Sequence, residues 1–116
     1  MTTHHIVHDT DRDGWGSAAL LLACVKPARA VLHPQRDKDV VALVNGLRVA
    51  AGDQVYVLDI PAPADWSALA QPAGELLWVD HHMASWGAAR PSWVRAILPT
   101  HDEPTTTMRL LVQAEL

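Results

Sequence analysis

Short apolar runs alternate along the chain with longer segments in which apolar residues recur at helical spacing. The short runs predict β-strands at residues 4–8, 28–32, 55–58, 76–79 and 94–98. The segments between them predict helices at residues 17–25, 36–51 (ended by Gly52) and 66–70, and a last helix from residue 104 to the C-terminus. Because strands and helices alternate, we expect a single α/β domain with a mainly parallel sheet of about five strands and helices on both faces.

Acidic residues follow three of the predicted strands, namely Asp9, Asp59 and Asp80. In open α/β sheets the carboxyl ends of the strands face the crevice that binds ligands. If the three strands are parallel neighbours, their acids meet at one edge of the sheet. The sequence therefore indicates that edge as the candidate location of a functional site.

The composition excludes several classes of protein. The 116 residues suit one domain with a buried core, and the single cysteine, Cys24, excludes a disulfide framework and favours a reducing compartment. The apolar run at residues 18–25 is far shorter than the ~20 residues that span a bilayer, and no basic segment typical of a signal peptide is present. We therefore expect a cytoplasmic protein with no membrane association. The net charge of −4 argues against general coating of nucleic acid but leaves a local substrate groove open.

The segment HDTDRDG places three carboxylates, Asp9, Asp11 and Asp13, close together in the chain. Two such charges about 4 Å apart repel by about 4 kcal/mol at an effective dielectric constant of about 20. A cluster of this kind is tolerated when it faces water, when its pKa values rise or when a cation neutralises it. A solvated acidic turn therefore stays open as one interpretation.

Two known loops share the spacing of these aspartates. An EF-hand calcium loop requires Glu at its twelfth position, where this chain has Leu20, and a helix before it, where a strand is predicted. A phosphatase of the haloacid dehalogenase kind also begins with a strand and Asp-x-Asp. Its next strand ends in Ser or Thr, whereas the corresponding strand here ends in Asp59. Neither interpretation explains much of the remaining chain.

The segment LLWVDHH adds Asp80, His81 and His82 at the end of a predicted buried strand. Neutral imidazole nitrogens and carboxylate oxygens together suit Mn²⁺ or a similar divalent ion. An isolated pair of histidines is commonly a polar surface feature, but two other strands of this chain also end in acids. We therefore interpret the three residues as part of a metal centre.

Taken in order, DTDRDGWGSAALL, VYVLDI and WVDHH resemble the first three motifs of the DHH phosphoesterase family, and the match covers nearly the whole chain. The first motif is similar to the RecJ-exonuclease-like form, in which Asp replaces a His of other branches. The resemblance implies a phosphoesterase that uses metal-activated water to hydrolyse phosphodiester or phosphomonoester bonds. The implied substrates are nucleotides or short single-stranded oligonucleotides, and the implied cofactors are two Mn²⁺ ions, with Mg²⁺ as the alternative.

The resemblance also assigns the metal ligands. The first ion would be held by Asp9, Asp11 and Asp59. The second would be held by Asp13, by Asp59 as the bridging ligand and by His81. Two cations close together require several anionic oxygens, and this set supplies them.

Three further residues are expected to act on the substrate. By resemblance, His82 would contact the phosphate and take part in catalysis, supported by Asp80. Ser17 begins the first predicted helix, where backbone N–H groups favour a phosphate.

Trp15 and Trp86 flank the proposed site, and each could stack on a base or pack against the protein.

The family's fourth motif contributes one more Asp, and its members carry a C-terminal DHH-associated domain. Neither has a clear equivalent in this chain. His101 and Asp102 are candidates to replace the ligand, while Asp102 also suits a helix cap. The departures support a second hypothesis, a catalytically weak metal-binding, nucleotide-binding or partner-binding module derived from the same fold. A third hypothesis is that a homodimer mate or a separate partner chain supplies the missing ligand.

Overall fold

Strands and helices alternate along the chain in the computed structural model, which describes residues 2–36, 39–82, 90–99 and 105–116. The strands are β1 (His4–Asp9), β2 (Ala30–Gln35), β3 (Gln54–Leu58), β4 (Glu75–Val79) and β5 (Val94–Ile97). The helices within these described ranges are α1 (Arg12–Val25), α2 (Val40–Gly46) and α3 (Thr107–Ala114). The strands form one parallel sheet, which confirms the predicted fold class of a single α/β domain.

The order of the strands across the sheet is β2-β1-β3-β4-β5. The strands β1, β3 and β4 are therefore direct neighbours, and the residues at their carboxyl ends lie in register. His8 lies opposite Leu58, and Leu58 lies opposite Val79. The residues that follow these positions are Asp9, Asp59 and Asp80. All three acids consequently leave the sheet at the same level of its carboxyl edge.

Apolar side chains cover both faces of the sheet. On one face the strands pack against α1 and α3 through a cluster that contains Ile6, Leu21, Tyr56, Leu58, Val79, Leu110 and Leu111. On the other face they pack against α2 and the β3–β4 connection through a cluster that contains Val7, Val44, Val57, Trp66, Leu69 and Trp78. The prediction of helices on both faces is confirmed. Burial on both faces also explains why β3 and β4 are nearly continuous apolar runs.

The first helix begins earlier than predicted. α1 begins at Arg12 instead of residue 17, because the Asp11 carboxylate caps it by accepting the N–H of Gly14 at 2.8 Å. The helix ends at Val25 as predicted, and the residue after it adopts the left-handed conformation. The acidic segment is therefore partly helical, with Asp13 in the first turn.

The second helix is shorter than predicted. α2 spans Val40–Gly46 instead of residues 36–51, and it begins where the Asp39 carboxylate caps its first turn. Gly52 does not end this helix. It lies just before β3 with a φ of 88°, a left-handed conformation that glycine adopts without steric cost.

The second strand and the last helix also differ from the predictions. β2 lies later than the predicted residues 28–32 and includes Pro34, which an edge strand tolerates. Thr106 caps α3 by accepting the N–H of Arg109 at 3.1 Å, so the first helical residue is Thr107. Pro104, the predicted start, lies outside the described residues. None of the helices in the described ranges is long and apolar enough to cross a membrane.

The β3–β4 connection contains no helix at residues 66–70, where a short one was predicted. Instead, the Asn45 side chain on α2 binds the backbone of this segment, donating to Ala68 O at 2.8 Å and accepting from Ala70 N at 2.9 Å. Trp66 packs edge-on against Trp78, with ring centroids 5.2 Å apart. Contacts with other elements therefore hold this segment in an irregular conformation.

Close packing of α1 against the end of β1 requires a glycine at position 14. A β-carbon at Gly14 would lie 2.1 Å from the carbonyl oxygen of Asp9, a backbone atom that cannot move aside cheaply. We expect Gly14→Ala to lower the free energy of unfolding by roughly 2 kcal/mol or more. Gly46→Ala on α2 is the matched control. Nothing lies within 4 Å of its added β-carbon, so the change should be neutral or slightly stabilising. Urea denaturation measures both, and a similar loss in the two variants would contradict this account.

Candidate metal centre

Three carboxylates from two strand ends and one helix cap meet at the carboxyl edge of the sheet. One oxygen each of Asp9, Asp11 and Asp59 lies within 4.8 Å of the other two. Asp9 is the last residue of β1, Asp11 caps α1, and Asp59 directly follows β3. The predicted convergence of Asp59 with the first acidic segment is confirmed. Oxygen ligands at this spacing are able to hold a divalent cation between them.

Asp59 is the buried centre of this group, since only 2% of the residue is exposed. Its Oδ1 accepts a hydrogen bond from the Thr107 hydroxyl at 2.9 Å and lies 3.2 Å from His81 Nε2. Its backbone adopts the left-handed region, with φ at 61°, which Asp and Asn tolerate better than most residues. Its N–H donates to Val79 O at 3.0 Å, so the turn after β3 is joined to β4.

Burial is the largest cause that raises the pKa of Asp59 to about 6, and the nearby charges of Asp11 and Asp80 act in the same direction. The Thr107 hydrogen bond and the His81 imidazole act in the opposite direction but do not offset the burial. The ionised carboxylate is thus held in an environment that disfavours its charge. A cation at this position would remove the penalty, because an opposite charge nearby stabilises the ionised form.

The first acidic segment fixes its carboxylates through the backbone. Asp9 Oδ1 accepts the N–H of Thr10 at 2.7 Å, and Asp11 Oδ1 accepts the N–H of Gly14 at 2.8 Å. One oxygen of each carboxylate therefore accepts a backbone N–H, and the other oxygen is a second potential ligand atom. Ligands oriented in this way lose little conformational freedom when they bind an ion.

Asp13 and Ser17 lie on α1 and are not members of this group. Asp13, predicted as a ligand of the second ion, is half-buried in the first turn of the helix. Ser17 is fully buried, and its hydroxyl donates to the Asp13 carbonyl oxygen at 2.6 Å. The prediction that Ser17 begins the helix is wrong, because α1 begins at Arg12. Its backbone N–H consequently lies inside the helix, which removes the reason for assigning it to a phosphate.

The tripeptide after β4 forms a second group whose potential ligand atoms also lie within 4.8 Å of one another: Asp80, His81 and His82. Asp80 is fully buried and binds His82 twice. Its Oδ1 lies 2.7 Å from His82 Nδ1, and its Oδ2 accepts the His82 N–H at 3.1 Å. The His82 side chain is 45% exposed, whereas His81 turns towards Asp59. The two imidazoles therefore face different partners.

Two site features were not assigned from the sequence. Thr107 reaches the buried carboxylate of Asp59 from the start of α3, and no local pattern indicates such a contact. His8 is fully buried beside the site, with Nδ1 donating to the Asp9 carbonyl oxygen at 2.7 Å and its ring packed edge-on against Trp15. The Trp15 ring thus has a packing partner, although the residue remains 47% exposed. The other predicted candidates, Trp86, His101 and Asp102, lie outside the described residues.

Comparisons with known proteins add no family assignment. The chain matches no protein-family model, and a search of curated proteins found no similar sequence. The function proposed below therefore depends on the geometry of the two groups and on the motifs that position them.

Ionisation of Asp59 should destabilise the metal-free protein. Its folded-state pKa of about 6 lies above the ordinary 3.8, so folding favours the protonated carboxyl. This stabilisation is fully present below about pH 4 and is lost as the pH rises through about 6, at a cost on the order of 3 kcal/mol. Asp59→Asn is neutral and suits the positive φ, so it should remove this pH dependence and raise the Tm at pH 7.

Thermal unfolding between pH 4 and pH 8 in the presence of a chelator measures this effect. The difference in Tm between wild type and Asp59→Asn isolates the one group from the other titrating acids. If the Tm of the two proteins changed with pH in the same way, Asp59 would not be the group whose ionisation destabilises the fold.

Proposed function

We propose that this protein is a divalent-metal-dependent phosphoesterase that hydrolyses phosphodiester or phosphomonoester bonds of nucleotides or short single-stranded oligonucleotides. One observation carries the proposal: Asp9, Asp11 and Asp59 meet within 4.8 Å, and His81 Nε2 lies 3.2 Å from the same Asp59. Carboxylate oxygens together with an imidazole nitrogen suit Mn²⁺, with Mg²⁺ as the alternative. The motif resemblance supplies the reaction class.

The motif resemblance assigns two ions that share Asp59. Asp9, Asp11 and Asp59, whose oxygens lie together, would hold the first ion. Asp59 and His81, which are in contact, would contribute to the second ion, and for Asp13 the assignment to that ion rests on the resemblance alone. Because His81 Nε2 lies 3.2 Å from Asp59 Oδ1, the imidazole and the carboxylate would be able to hold the same ion. Asp59 is the residue whose loss should affect both ions.

Divalent ions bound here would lower the pKa of water and neutralise the negative charge of a phosphate ester. The chain's own contribution is to keep the ligands in place and to present His82. Because the buried Asp80 carboxylate accepts from His82 Nδ1, it fixes the orientation of the ring. The exposed part of that ring would contact the phosphate.

Addition of Mn²⁺ to metal-free protein should raise its Tm, with a gain of about 2.7 kcal/mol at 100 times the Kd. Asp11→Asn should abolish most of this gain, since Asn preserves the helix cap but removes a charged ligand. Glu75→Gln is the charge-matched control. It begins β4 at the opposite edge of the sheet. Its exposed side chain forms a 3.7 Å ion pair with Arg95 and accepts a hydrogen bond from Gln54 Nε2 at 3.3 Å, contacts that lie far from the candidate metal centre.

A Mn²⁺-supplemented panel of nucleotides, short single-stranded DNA and short RNA then tests turnover with the same proteins. Hydrolysis by wild type and Glu75→Gln but not by Asp11→Asn is the expected result. Mn²⁺ binding without turnover on any substrate would favour the catalytically weak binding module instead. An absence of Mn²⁺ stabilisation would reject the metal centre itself.

The two adjacent histidines should separate binding from turnover. His81→Ala should weaken Mn²⁺ affinity, because it removes the nitrogen beside Asp59. His82→Ala should leave Mn²⁺ affinity unchanged and lower kcat by roughly 100-fold or more, the usual range for a lost acid–base group. Calorimetry with Mn²⁺ and steady-state kinetics provide the two readouts. If His82→Ala weakened the metal as much as His81→Ala, the assignment of separate roles would fail.

A further inference from the structure

The C-terminal helix reaches the candidate metal centre through one side chain. Thr107 is the first residue of α3, is fully buried, and donates its hydroxyl to Asp59 Oδ1 at 2.9 Å. The two residues are 48 positions apart in the chain. We propose that Thr107 is a positioning residue, which orients the Asp59 carboxylate for cation binding without contacting the cation.

The preceding residue has a different task. Thr106 is exposed, and its hydroxyl oxygen accepts the N–H of Arg109 at 3.1 Å, which caps α3. The cap of the helix and the contact with Asp59 are therefore carried by separate, adjacent threonines. This separation distinguishes Thr107 from a residue that merely begins a helix.

The hydrogen bond acts on a torsion that is otherwise weakly determined. The terminal torsion of an aspartate side chain has a broad distribution, so a buried carboxylate needs partners to hold its plane. An ionised carboxylate only accepts hydrogen bonds, so the Thr107 hydroxyl is the donor. This hydrogen bond uses one lone pair of Asp59 Oδ1. The remaining lone pairs of the carboxylate are left to interact with His81 or a cation.

Packing determines where this hydroxyl lies. Leu110 and Leu111 of α3 are buried in the apolar cluster that also contains Leu21 of α1. Helices α1 and α3 approach so closely that a β-carbon at Gly16 would lie 2.7 Å from the Met108 sulfur. The helix–helix contact thus sets the location of Thr107, and the Thr107 hydroxyl links α3 to the ligand that the two ions would share.

The inference rests on the proposed metal centre, and direct Mn²⁺ binding tests it. Calorimetry with metal-stripped protein compares wild type, Thr107→Val, Thr107→Ser and Thr106→Val. Thr107→Val keeps the shape but loses the hydroxyl, and we expect its Mn²⁺ affinity to fall by about 10–100-fold, as is typical when a partner of a metal ligand is lost. Thr107→Ser retains the hydroxyl and should bind Mn²⁺ as wild type does.

Thr106→Val is the matched control. It should lower the Tm by removing the cap of the same helix while leaving Mn²⁺ affinity unchanged. Equal Mn²⁺ affinity in wild type and Thr107→Val would overturn the positioning role, and so would a loss of affinity in Thr106→Val as large as in Thr107→Val. If Thr107→Val does not fold, Thr107→Ala takes its place with the same expected result.

Failure of the metal centre gives a different result from failure of the positioning role. A wild-type protein that does not bind Mn²⁺ would reject the proposed function and this inference together. A wild-type protein that binds Mn²⁺ beside an unaffected Thr107→Val would reject the positioning role alone.

Discussion

The burial of one carboxylate constrains the whole carboxyl edge of the sheet. Asp59 is 2% exposed, and its pKa rises to about 6 because burial and the charges of Asp11 and Asp80 disfavour ionisation. A penalty on the order of 3 kcal/mol is a large fraction of the roughly 5–15 kcal/mol that stabilises a typical domain. The apolar clusters on both faces of the sheet stabilise the fold and offset this penalty. Cations bound at Asp59 would stabilise its ionised form and remove the penalty.

Adjacent residues at this edge serve different partners. His81 faces Asp59, whereas His82 binds Asp80 and is partly exposed. Consecutive side chains after β4 therefore have different surroundings. This arrangement places potential metal ligands and the contacts that orient them in the same short segments.

Local signals in the sequence explain the correct predictions, whereas the incorrect ones concern features that backbone geometry or distant residues decide. The strands were predicted well in β3 and β4, because burial on both faces requires nearly continuous apolar runs. The start of α1 was placed too late, since Asp9, Asp11 and Asp13 all suit a helix cap and only the backbone geometry selects Asp11. The helix predicted at residues 66–70 was wrong because Asn45, far away in the chain, binds that backbone.

The sequence by itself determined the alternation of strands and helices, the parallel sheet and the acids that end three strands. The strands, the helices and their terminal acids are local features, since the periodicity of apolar residues reflects how each element is buried, and the alternation of strands with helices favours a parallel sheet. Only the tertiary structure decided that β1, β3 and β4 are neighbours in matching register, and that Thr107 meets Asp59 across 48 positions of chain. Strand order and buried hydrogen bonds arise from packing between distant segments, which no local pattern encodes.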